Sequence, residues 1–161
     1  MLIIFCAEID EAVNIKCPHA KIVITGAGLC NVIQTPKLNI RPEDKVINIG
    51  YAGSNLYPVG EVRTVGKCRR LIPSLTINEK ELIINPLKEL TSTCCYTADD
   101  FIEQDKIKEI PLVDMELYYL ASIYPQIESI KIVSDNLNLT EYRKADLSAS
   151  WETVNRILNN L

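Results

Sequence analysis

Short apolar runs closed by polar or glycine residues recur along the chain: LIIFC at Leu2–Cys6, KIVIT at Lys21–Thr25 and KVINI at Lys45–Ile49. Runs of this length without polar alternation are the pattern of strands covered on both faces, as in α/β proteins. A short helix is predicted over Leu29–Gln34, stopping near Pro36. Val59–Leu71, rich in β-branched residues, reads as an extended strand with a bulge at Gly66. Between Ile72 and Leu90, Leu82–Ile84 is a candidate brief strand, and Thr91–Tyr96 is another strand. Thr97 or Asp99 then offers an N-cap side chain. Leu112 and Val113 form a short strand, and Ser129–Val133 a longer one. The helix between them, Leu117–Ile123, carries an apolar stripe at Leu117, Leu120, Ala121 and Tyr124 and closes before Pro125. Asn136–Asp146 is a polar loop. Ser148–Leu161 closes the chain as an amphipathic helix with Trp151, Val154, Leu158 and Leu161 on one face.

This succession predicts one α/β domain over residues 1–161, a three-layer fold with a central mixed β-sheet flanked by helices. If the sheet is parallel around Leu112–Asp135, then Asp114, Glu116 and Asp135 all lie at carboxyl ends of strands, where open sheets bind ligands. Glycine-rich stretches follow two of the early strands: Gly26-Ala27-Gly28 and Gly50-Tyr51-Ala52-Gly53-Ser54. Both are expected to be turns, and together they begin to describe a pocket built by loops. Asn31 stands at the third position of a G-x-G-x-x-G pattern, so a Rossmann cofactor site is not expected.

Composition narrows the chemistry. The 161 residues carry a net charge of −4, with 47% hydrophobic and 24% charged residues. That describes an ordinary globular chain without the basic face of a nucleic-acid binder. Lys67-Cys68-Arg69-Arg70 is the one basic cluster, expected as a surface turn. No apolar run approaches a membrane span, and Met1–Cys6 reads as a strand rather than a leader because acids follow it directly. The six cysteines show no CxxC spacing. Cys6 and Cys30, in apolar segments, are expected to behave as small hydrophobes. Cys17-Pro-His19 is too small a set for zinc, so no metal is expected and a cytoplasmic protein with reduced thiols is. The acids Glu8, Asp10 and Glu11 favour a solvated first helical turn, where negative charge suits the dipole. Phe101 has two readings, core packing or a stacking surface for a flat ligand.

In their order, ITGAGLCNV (Ile24–Val32), VINIGYAGS (Val46–Ser54), VGEV (Val59–Val62), TADDFI (Thr97–Ile102), VDMELYYLA (Val113–Ala121) and IVSDN (Ile132–Asn136) resemble the nucleoside phosphorylase and nucleosidase superfamily. The resemblance implies cleavage of the N-glycosidic bond of a purine nucleoside, with no cofactor beyond phosphate as a co-substrate in the phosphorolytic case. It implies that Met115 and Glu116 hold the ribose, Glu116 accepting from both sugar hydroxyls. Phe101 would stack on the base, with Ile102 near its edge. Asp135 would protonate or hydrogen-bond to N7 of the leaving purine, and Glu11 would orient or deprotonate the attacking water. Gly26, Gly28, Ala52 and Gly53 would frame the nucleophile pocket. It also implies a homodimer or larger homo-oligomer. The chain departs from the family in being shorter between Ala12 and Lys21, in Asp114 where Glu is common, and in Tyr51 where a small residue is usual. No arginine matches the family's phosphate clamp, which favours water over phosphate as nucleophile. A nucleoside-binding protein without catalysis is the alternative.

Overall fold

In the computed structural model, residues 1–71, 77–103, 108–141 and 144–161 are described; the stretch after Leu71 and the polar loop after Asn136 fall partly outside them. The chain runs β1 (Leu2–Cys6), α1 (Ile9–Asn14), β2 (Ala20–Ile24), α2 (Leu29–Gln34), β3 (Lys45–Gly53), β4 (Val62–Leu71), β5 (Ile77–Ile83) and β6 (Ser92–Ala98). It ends with β7 (Leu112–Asp114), α3 (Leu117–Ile123), β8 (Glu128–Asp135) and α4 (Ser148–Leu158).

The strands form one mixed sheet in the order β2-β1-β3-β7-β6-β4-β5, and β8 pairs with both β3 and β4. The path β3-β7-β6-β4-β8 therefore returns to β3 and closes a ring. β1, β2, β3 and β8 run one way, with β1–β2, β1–β3 and β3–β8 all parallel. β4 opposes β8, β6 and β7 run with β4, and β7 meets β3 antiparallel at the single pair Gly53↔Val113. The expected parallel strand-helix-strand unit from Leu112 to Asp135 is thus corrected: β7 and β8 run in opposite directions, β7 antiparallel to β3 and β8 parallel to it.

Helices cover both faces. Alternation along β1 sends Ile3 and Phe5 into one core with Val32 of α2 and Leu117, Leu120 and Ala121 of α3. Leu2, Ile4 and Cys6 face the other core, with Ile15 after α1 and Trp151, Val154 and Leu158 of α4. Burial on both faces is why LIIFC lacks polar alternation. Each fully buried Ile or Leu contributes roughly 1.5–3 kcal/mol of transfer free energy to this assembly.

Several local expectations change. Gly50-Tyr51-Ala52-Gly53 is strand rather than turn, because β3 stays paired with β8 as far as Gly53↔Asp135, with an irregularity at Ala52/Gly53. Lys67–Arg70 lies inside β4: Cys68 is buried, and Lys67 and Arg69 pair with Glu81 of β5. The bulge at Gly66 is present, as a register shift between Val65 and Lys67. Thr97 caps no helix after it, since β6 runs through Ala98 and residues 99–103 are not helical. Its buried hydroxyl instead accepts the Tyr118 N–H at 3.0 Å, capping α3 from the neighbouring strand. Cys30 and Leu161 are exposed, so neither belongs to the core. Among the described residues no helix is long and apolar enough to cross a membrane.

Candidate active site

Gly53 is where the site-bearing strands meet. It pairs with Val113 of β7 on one side and Asp135 of β8 on the other. A Cβ at Gly53 would stand 2.6 Å from Leu137 Cδ2 and 3.1 Å from Asp135 Oδ1. Only glycine lets the two acidic strand ends close on β3 this tightly. Around this junction opens a cleft of about 80 Å³, lined by Glu11, Ala52, Gly53, Phe101, Met115, Glu116 and Asp135 among others.

Asp135 is buried, 1% exposed. The Ser134 hydroxyl donates to its Oδ2 at 2.7 Å and the Leu137 N–H to its Oδ1 at 2.9 Å. Burial pushes its pKa above the usual aspartate value, against these donors and the Asn138 N–H, all of which favour the ionised form. The net direction suits a carboxyl that carries a proton more readily than a surface aspartate.

Glu116 lies between β7 and α3, where Asp114 organises the backbone. Asp114 Oδ2 accepts the Leu117 N–H at 3.0 Å and Oδ1 accepts the Thr97 hydroxyl at 2.6 Å, which satisfies the start of α3. Across the cleft, Gly28 donates its N–H to Glu116 Oε1 at 3.0 Å. Gly26 and Gly28 both have positive φ, 79° and 85°, so this turn is a real glycine turn. Its backbone donor meets an anion from the chain itself. Burial pushes the Glu116 pKa up to about 7, helped by the neighbouring Asp114 and Glu11 charges and opposed by Lys131 and the Gly28 N–H.

Glu11 is 3% exposed, so the expectation of a wholly solvated acidic turn fails for it. Its Oε2 accepts from Ala7 at 2.7 Å and Glu8 at 3.0 Å, and its Oε1 from the Tyr51 N–H at 2.8 Å. The carboxylate thereby caps its own helix and ties α1 to β3. Burial raises its pKa, against those three N–H groups and Lys131. The Tyr51 hydroxyl accepts the Trp151 indole N–H at 3.1 Å, which fixes the ring in the wall of the cleft.

Of the ten residues singled out from the sequence, seven line one cleft. Gly28 reaches it through its bond to Glu116, whereas a Cβ on Gly26 would meet Asn31 at 2.9 Å, outside the lining. Ile102 packs with Leu71, Ala98, Ile110, Val113 and Leu137. Lys131 went unnoticed in the sequence: it is wholly buried on β8, with Nζ 2.6 Å from Asp114 Oδ2. A cation inside the expected strand Ser129–Val133 was the available signal, since lysine is almost never buried without a partner. Among the described residues no cluster of His, Cys, Asp and Glu could hold a metal ion.

No protein-family model matches the sequence, and no curated protein matches it. Solved structures do. The MTAN of Chlamydia trachomatis aligns with a TM-score of 0.78 at 17% identity, covering 99% of this chain and 97% of that one. The 5'-methylthioadenosine/S-adenosylhomocysteine nucleosidase of Neisseria meningitidis, in complex with methylthio-immucillin-A, aligns at 0.72 and 16% identity over 99% of both chains. An MTAN mutant from Helicobacter pylori with 5'-methylthioadenosine in its active site aligns at 0.73 and 11% identity, over 99% of this chain and 98% of that one. Over nearly its whole length, this chain has the fold of the 5'-methylthioadenosine/S-adenosylhomocysteine nucleosidases.

Proposed function

We propose that the chain cleaves the N-glycosidic bond of a purine nucleoside, with water as the attacking nucleophile. The observation that carries this reading is the convergence of Asp135, Glu116 and Glu11, from three separated parts of the chain, in one buried cleft. Asp135, with its raised pKa, donates a proton or hydrogen bond to the leaving purine as positive charge builds on the sugar. Glu116 has acceptor capacity beyond the Gly28 N–H and binds the ribose hydroxyls. Phe101 supplies the base-stacking face, and Met115 lies along the sugar. Glu11 orients or deprotonates water beside Tyr51. The chain supplies these groups itself, so the reading needs no cofactor, and phosphate enters only as co-substrate in a phosphorolytic version. The ligands held by the Neisseria and Helicobacter proteins make methylthioadenosine the first substrate to test. Exposed Ile9 and Val13 on the outer side of α1 support a homodimer or larger homo-oligomer, measurable by light scattering.

The test is product analysis after incubation with methylthioadenosine, adenosine and inosine, with and without phosphate. Free base without phosphate, lost in Asp135→Asn, is the expected result. Base released only with phosphate would replace water by phosphate in the mechanism. No base from any of them, with thermal stabilisation by one, would mean a nucleoside-binding protein without catalysis.

A further inference from the structure

Lys131 has an environment that core packing does not explain. It pairs with Gly50 across β3 and β8 and with Arg63 across β8 and β4, at the middle of the strand ring. Its side chain has no exposure, and its Nζ sits 2.6 Å from Asp114 Oδ2 without an aligned hydrogen bond. The missing Cβ of Gly50 makes its place. A Cβ there would lie 3.6 Å from Lys131 Nζ and 3.0 Å from Glu11 Oε1, so ammonium and carboxylate share the space above one glycine. Asp114 is two residues from Glu116, and Glu11, Asp114 and Glu116 all line the cleft. An apolar residue would fill this space at lower desolvation cost. The charge therefore needs a reason.

We propose that Lys131 is a positioning residue of the site, its buried ammonium being the countercharge that lets Glu11, Asp114 and Glu116 stand together as carboxylates. This deepens the proposed function and rests on it for its catalytic meaning. The groups that face Glu116 come from four elements: Asp114 from β7, Lys131 from β8, Glu11 from α1 and the Gly28 N–H at the start of α2. Lys131 is in turn faced by Asp114, by Glu116 and by the Cys95 thiol of β6. Burial works against its charge, but these neighbours outweigh it and hold the ammonium above the ordinary lysine range. Among the described residues named around Glu116, Lys131 is the cation, so its loss moves Glu116 and Glu11 in the same direction, toward the protonated acid.

The experiment follows the carboxyl carbons of ¹³C-labelled glutamates by NMR across pH in the ligand-free protein, with Glu116→Gln identifying the Glu116 signal. Lys131→Met is expected to move the Glu116 midpoint upward by about one pH unit, and Lys131→Arg to leave it near wild type. An unmoved midpoint in folded Lys131→Met protein would overturn the proposal. Should Lys131→Met fail to fold, Asp114→Asn is compared with Asp114→Asn/Lys131→Met, where the same upward step is expected and its absence is equally decisive. The titration needs no turnover. A chain that releases no base from any substrate refutes the nucleosidase reading while Glu116 still reports on Lys131. Base release with an unmoved Glu116 midpoint refutes only the role of Lys131.

Discussion

Glu116 offers the sharpest link between burial and a measurable pH dependence. Its pKa rises from the ordinary 4.5 to about 7, with burial as the largest cause. A carboxyl raised in the fold binds its proton more tightly there than in the unfolded chain. Its stabilising contribution is thus fully present below the unfolded value and falls as pH climbs through the window from 4.5 to about 7. At roughly 1.4 kcal/mol per pH unit, the loss is about 3 kcal/mol once Glu116 is ionised in both states. Glu116→Gln keeps a carbonyl acceptor for the Gly28 N–H but cannot ionise. Compared with wild type, it should therefore gain about 2.5 kcal/mol of relative stability between pH 5 and pH 8, or roughly 5–10 °C in Tm for a chain of this size. Glu11 and Asp135 also have raised values, so both proteins lose stability over this range, and the difference reads Glu116 together with its charge coupling to Glu11. Urea unfolding at a series of pH values measures it. Parallel curves for the two proteins would refute the claim that Glu116 is held in the fold at a carboxyl's expense.

The other predictions concern single contacts. Asp135→Asn should lower kcat by about 10²–10⁴-fold with circular dichroism unchanged, as expected for loss of a general acid; near wild-type turnover would remove Asp135 from the reaction. Gly53→Ala places a Cβ 2.6 Å from Leu137 Cδ2 and should cost about 1–3 kcal/mol by overpacking, read as a lower urea midpoint; an unchanged midpoint would mean that β7 and β8 yield easily. Phe101→Ala should weaken purine nucleoside binding by about 1–3 kcal/mol in calorimetry if the ring stacks on the base, and wild-type affinity would leave Phe101 as packing alone.

The sequence and the structure agree where a signal is local. Leu117–Ile123 was legible because a stripe at helical spacing ends before Pro125, and Leu29–Gln34 because Pro36 stops a short helix after a glycine turn; both helices have those bounds. They differ where pairing decides. Gly50–Gly53 looks like a turn by composition, yet β8 supplies a continuous ladder beside it, and the ladder outweighs glycine's weak strand preference. Glu11 looks like a solvated acid because its neighbours Glu8 and Asp10 are acidic; its burial comes from Tyr51, forty residues away in sequence, whose N–H claims its carboxylate.

By itself the sequence determined the buried strands, the helices on both sides of them and the acidic residues that end those strands, since hydrophobic periodicity and proline stops act within a few residues. Tertiary structure alone decided that β7 runs against β3, that the strands close a ring, and that Glu11, Glu116 and Asp135 share one cleft with Lys131 beneath it. Strand direction and the partner of a buried charge depend on contacts between residues far apart in the chain, and no local pattern encodes them.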